Sequence, residues 1–178
     1  MSPLPPENGI DRLTAPAAPM GRMASLRTKI HSIRKGKVLF FGIGNRMRAD
    51  DGAGPLLVET VGRHRGLVCI DGGVAPENYL EKIVKAAPDT VFVIDAIGFD
   101  GRAGEIRIFR SDEISGGGLS THALSLAMVC EYLKNRMEQV AIAVIGIQPQ
   151  TISLGKKMSA AVEKTVNKLA EKIIEEFR

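Results

Sequence analysis

Two adjacent carboxylates, Asp50 and Asp51, stand in the stretch GIGNRMRADDGAG (42–54), directly after the apolar run Val38-Leu39-Phe40-Phe41. A third, Asp95, ends the run TVFVIDA, and a fourth, Asp71, precedes Gly72-Gly73. Of three histidines, His31 lies in a basic N-terminal segment and His64 stands between Arg63 and Arg65, leaving His122 as the one placed near these carboxylates. A neutral imidazole with two carboxylates makes an N,O,O donor set suited to a divalent first-row metal, with coordination positions left open. A helix start favours the neutral ring, because the positive dipole end opposes the imidazolium. Each residue also has a plainer reading. Asp51 could cap the following helix, Asp95 could receive loop N–H groups, and His122 could be a partly buried histidine.

The same stretch invites a dinucleotide-binding reading, which its spacing does not support. Gly42 and Gly44 fit G-x-G-x-x-G, but the third position is Met47 and the next glycine is Gly52. Asp71 mimics the acidic ribose ligand, yet Asp50 and Asp51 would repel a pyrophosphate at the helix end. P-loop, G-x-S-x-G and H-E-x-x-H motifs are absent. Cys130 and His122 are about 12 Å apart along one expected helix, too far for a nucleophile and its base.

Composition narrows the classes further. With 178 residues, 44% of them hydrophobic and 25% charged, the chain suits one soluble domain with a full core. Its net charge of +4 is confined to the first 37 residues, and the remainder is nearly neutral. Six phenylalanines, two tyrosines and no tryptophan offer little stacking surface, so no nucleic-acid partner is expected. No apolar run approaches the ~20 residues of a membrane span, and no secretory leader is recognised. A cytoplasmic protein is expected, with Cys69 and Cys130 as reduced core thiols.

The elements that must position these residues alternate. Residues 1–36, with five of nine prolines in the first 26, are expected to form a disordered or loosely attached basic arm, ending in a helical turn or strand lead-in over 27–37. Strands are expected at 37–43, 67–70, 90–96, 104–110 and 139–147, the fourth as a half-exposed edge strand that could run antiparallel. Helices are expected at 52–64, 76–87 (opened by Pro76), 121–134 (after Gly116-Gly117-Gly118) and from Lys156 or Ser159 onward. The pattern specifies an α/β fold over 37–178, a single three-layer sandwich with a mainly parallel, about five-stranded twisted sheet. Ligands of such sheets bind beyond the carboxyl ends of the strands. Asn45, Asp50, Asp51, Asp71, Asp95, His122 and Gln148 all fall there.

At these positions the chain resembles the [NiFe]-hydrogenase maturation endopeptidases, especially the type that processes the large subunit of formate-hydrogenlyase hydrogenase (hydrogenase 3). The matching elements run in order: GIGN (42–45) with ADDGAGPL (49–56), IDGGVAPEN (70–78), VIDA (93–96), GEIRI (104–108), Thr121-His122 and IGIQP (145–149). The resemblance implies a nickel-dependent hydrolase of the aspartic-type class. Such an enzyme removes the C-terminal extension of a large-subunit precursor once nickel is inserted. It implies Asp51, Asp95 and His122 as ligands of a nickel held mainly by the substrate, with Asp51 rather than Asp50 as the ligand; Asp50 is then expected to serve the helix start. Other divalent metals could substitute for nickel. Asp71 with Gly72 and Gly73 is the candidate for base chemistry or positioning of the substrate loop, alongside Asp51 as a catalytic carboxylate. The implied partner is the precursor, with nickel-insertion factors as further partners. A non-catalytic nickel-sensing assembly factor is the alternative, followed by a nucleotide-binding α/β enzyme.

Overall fold

A computed structural model describes residues 23–64, 66–115 and 122–177. Five strands form one sheet in the order β2-β1-β3-β5-β4: β1 (Val38–Ile43), β2 (Val68–Gly73), β3 (Thr90–Ala96), β4 (Ile106–Arg110) and β5 (Ala141–Ile147). The first three and β5 pair in parallel, and β4 pairs antiparallel with β5, as its alternating pattern allowed. The three central strands β1, β3 and β5 are almost entirely buried, which is why they read as unbroken apolar runs.

Alternation along β1 divides the core. Val38 and Phe40 face a layer built by α1 (Met23–Ile33), α2 (Ala53–Gly62) and α6 (Ala160–Glu176). Leu39, Phe41 and Ile43 face α3 (Leu80–Ala86), α4 (Ser111–Ser115) and α5 (His122–Arg136). The expected three-layer α/β sandwich is therefore present. Because β2 lies on one side of β1 and β3 on the other, the chain leaves β1 at a topological switch point, where sheets of this kind open a crevice.

Helix α2 approaches the sheet closely enough to require glycine. A Cβ on Gly54 would collide with the carbonyl oxygens of Ile43 and Ile94, and one on Gly42 with the carbonyl of Gly54. Backbone thus lies against backbone where α2 crosses β1 and β3.

The N-terminal segment departs from expectation. Residues 1–22 lie outside the described residues, but 23–33 form a helix rather than part of a loose arm. Leu26 and Ile30, four apart and so on one helical face, are buried in the core. On the exposed side, Arg27 (2.6 Å), His31 (2.8 Å) and Arg34 (3.2 Å) surround the Glu176 carboxylate of α6. Leu26 and Ile30 in the core, Ile33 packed against it, and Arg27, His31 and Arg34 around one carboxylate dock this helix, so the folded body begins before residue 37.

Among the described residues, no helix is long and apolar enough to cross a membrane. Cys69 and Cys130 are free, and burial pushes both thiols up to about 11, which leaves them protonated and unreactive at neutral pH.

Candidate functional site

The chain leaves β1 through Gly44, whose φ of +134° few other residues adopt, and closes a 3-10 turn at Ala49–Gly52. Ala49 enters that turn at φ +48°, a left-handed conformation unusual for alanine. The turn delivers Asp50 and Asp51, both buried, at the carboxyl edge of the sheet. Next to β1, the end of β3 delivers Asp95, also buried. Asp51 and Asp95 line one pocket of about 260 Å³ at the switch point, with Gly44, Asn45, Arg48, Gly73, Val74, Pro76, Ser125 and Leu126 among its other walls.

The two carboxylates differ in what surrounds them. Asp51 Oδ2 accepts a hydrogen bond from the Asn45 backbone N–H at 3.0 Å. Among the described residues, Asp95 Oδ1 accepts from the N–H of its neighbour Ala96 alone, at 2.8 Å. Burial holds the Asp95 carboxyl well above the usual carboxylate range, and the charge of Asp51 pushes it the same way; the Ala96 N–H opposes both. No cation among the described residues acts on it. A buried acid beside a second acid, neither of them ion-paired among the described residues although Arg48 lines the same pocket, is an environment that a divalent cation would relieve. The donor set fits a metal ion bound through oxygen.

His122 is the first residue of α5, and its side chain lies outside the described residues. Ser125 and Leu126, three and four residues further along α5, line the pocket, so the helix start that carries His122 reaches this edge. The expected loop Gly116-Gly117-Gly118 and Thr121 are outside the described residues. Among the described residues, no group of three or more His, Cys, Asp or Glu side chains converges as a metal cluster.

Asp71 sits apart from the pocket lining. Its Oδ2 is paired with Arg46 at 2.9 Å, and Arg46 also holds Glu59 at 2.8 Å. Its Oδ1 accepts from the Gly73 N–H at 2.9 Å, which shapes a turn in which Gly73 has φ +52°. Gly73 in turn accepts from the Gly44 N–H at 3.0 Å and lines the pocket. Gly72 is buried, and a side chain there would strike the Phe41 ring, so packing explains this glycine. Gln148 faces elsewhere: its Oε1 accepts from Phe99 and Gly101 and secures the loop after β3.

Asp50 corrects an expectation. It makes no side-chain cap to the turn or to α2. Instead its Oδ2 accepts from the N–H of Gln150 (2.7 Å) and Thr151 (3.0 Å), and its Oδ1 from the N–H of Ser159 (2.6 Å). The Ser159 hydroxyl donates to Oδ2 at 3.0 Å while accepting from Val162 N–H at the start of α6. These partners stand a hundred or more residues away, beyond any local pattern. The Arg46–Asp71 pair was equally invisible. Ser125 did leave a trace, because i and i+3 share a helix face with His122.

A family model described as hydrogenase maturation protease matches residues 56–176, a range that takes in Asp71, Asp95 and His122 and begins just after Asp51. The hydrogenase 3 maturation protease of Escherichia coli K12 is 33% identical over 134 residues, spanning 74% of this chain and 85% of that protein. The crystal structure of a [NiFe] hydrogenase maturation protease HycI from Thermococcus kodakarensis KOD1 aligns with a TM-score of 0.76 at 32% identity, covering 84% of this chain and 98% of that one. The solution structure of an endopeptidase HycI from Escherichia coli gives a TM-score of 0.69 at 28% identity, covering 79% and 90%.

Proposed function

The chain belongs to the hydrogenase maturation protease family, and from that premise we propose that it is an endopeptidase that trims the C-terminal extension of a [NiFe]-hydrogenase large-subunit precursor after nickel insertion, reading the substrate-held nickel through Asp51, Asp95 and His122. The observation that supports this reading is the convergence of Asp51 and Asp95 on one pocket at the switch point, where Arg48 lines the wall but forms no ion pair with either carboxylate among the described residues. A nickel already held by the substrate would supply that balance and need open positions, which a three-residue protein set leaves.

The roles follow from the surroundings. Asp95, buried and without an ion pair among the described residues, gains most from a cation and acts as an anchor. Asp51, held by a single backbone N–H, is the carboxylate with lone pairs left to meet both the ion and a water at the scissile peptide. A cation there would polarise the carbonyl or make the water more acidic. Asp71 acts through the turn it holds, keeping Gly73 on the pocket wall. Exposed Met47, Val74 and Leu154 on the loops beyond β1, β2 and β5 give the folded precursor an apolar surface to meet near the pocket.

Mass spectrometry of purified precursor, nickel-loaded and nickel-free, before and after incubation tests the proposal. Only the loaded form should lose its extension, and Asp51→Asn, Asp95→Asn and His122→Ala should each slow cleavage by at least ~10²-fold. Cleavage without nickel, or full cleavage by His122→Ala, sinks it. A precursor that is bound but never shortened would instead mark a nickel-sensing assembly factor.

A further inference from the structure

We infer that Asp50 is a positioning residue: it ties the loop beyond β5 to the turn that carries Asp51, and so fixes where Asp51 stands in the pocket. The inference rests on the role just proposed for Asp51.

The turn Ala49–Gly52 is attached on two sides. Toward β1, the Asp51 N–H donates to the Arg48 carbonyl at 3.0 Å, and the Asp51 side chain accepts from Asn45. Toward β5, the turn itself is tied through Asp50, while two residues before it the Met47 carbonyl accepts from the Gly155 N–H at 2.8 Å. The Asp50 N–H donates to the Thr151 carbonyl at 3.1 Å, and its fully buried carboxylate takes three backbone N–H groups and one hydroxyl. All four partners of the carboxylate are donors, because the Ser159 oxygen already accepts from Val162. Burial of an acidic group is costly unless its lone pairs are filled, and here they are filled from one loop only.

Two observations make this more than a loop staple. Ala49 holds a left-handed φ of +48° immediately before the pair, a conformation that lasts only where its surroundings over-determine it. The five hydrogen bonds of Asp50 supply that constraint from one side. On the other side, the Asp51 backbone carbonyl lies so close to Gly44 that a Cβ there would overlap it. Without the carboxylate bonds, the turn would keep toward β5 only the backbone bonds of Asp50 to Thr151 and of Met47 to Gly155, and a strained residue would be freer to relax. Asp51, its immediate neighbour in the same turn, would move with it.

The test uses Asp50→Asn, which keeps one acceptor but turns an NH₂ group toward N–H donors. A second variant, Ser159→Ala, removes one donor and the cap of α6. The first readout is the backbone amide of Asn45, which reports the position of Asp51 and makes no contact with the β5 loop. In amide NMR, its resonance should shift and lose exchange protection in Asp50→Asn, and shift less in Ser159→Ala. The second is cleavage of nickel-loaded precursor per folded molecule. Here kcat should fall about 10²-fold in Asp50→Asn, with KM within twofold, since a misplacement of order 1 Å costs that much. If the amides of Gln150, Thr151 and Ser159 change while Asn45 stays at its wild-type position, the tie is local and the inference is overturned. Should Asp50→Asn fail to fold, the Asn45 resonance of Ser159→Ala decides alone. Failure of the wild-type protein to cleave would overturn the proposed function while leaving the Asn45 result to judge the tie.

Discussion

Asp95 occupies a position that the fold by itself disfavours. It is buried, has one backbone N–H for company and faces the charge of Asp51. In chelator-treated protein, Asp95→Asn should therefore raise the melting temperature by a few degrees, while cleavage is lost, which is the usual trade between stability and a functional site. A thermal scan of both forms checks this, and a lower melting temperature for the variant would show that the carboxylate is satisfied in some other way. At this scale the sequence placed Asp50, Asp51 and Asp95 at one edge, because residues after buried parallel strands collect there, while the choice of Asp51 over Asp50 came from the family resemblance. It was silent on what holds Asp50, whose type and neighbours suggest a cap and whose partners are Gln150, Thr151 and Ser159.

Among the elements, the strands were the most legible: β3 occupies the expected 90–96, and β1 and β5 differ by a residue or two at their starts. Helix α1 was not, since the apolar positions of a short basic segment, Leu26, Ile30 and Ile33 among them, give too weak a period to read. Its clamp on α6 has a pH signature. His31 first, then Arg27, hold the Glu176 carboxyl down to about 2, below the ~4.3 of an unfolded glutamate. A depressed acid contributes stability that is fully present above the unfolded value and lost as pH falls toward the folded one. Urea unfolding of the wild type and Glu176→Gln should therefore differ steadily from neutral pH down to about pH 5 and converge near pH 2. The variant should melt a few degrees lower at pH 7. An unchanged gap at pH 2 would mean that packing of Leu26 and Ile30, rather than charge, seats the helix.

For the whole molecule, the parallel sheet, its antiparallel edge and the helix layers follow from alternation, while strand order does not; the switch point had to be seen. What holds that switch point together is the seam between Gly42 and Gly54. Replacing Gly54 by alanine forces a methyl group against two carbonyl oxygens of neighbouring strands, an overpacking that costs about 1–3 kcal/mol or more. Denaturant titration should show the loss. The same variant should also cleave more slowly, because α2 cannot lift without dragging the turn at its start.

That seam amounts to a gauge. Where side chains separate a helix from a sheet, their bulk can be traded, and the gap drifts as one methylene replaces another. Here the clearance between the start of α2, which follows the turn bearing Asp51, and the strand ending in Asp95 is set by peptide thickness, which a change in the bulk of apolar core side chains does not retune. Core residues can be exchanged for size and shape while the two acids keep their spacing, so the tolerance of the scaffold and the precision of its working edge are separable.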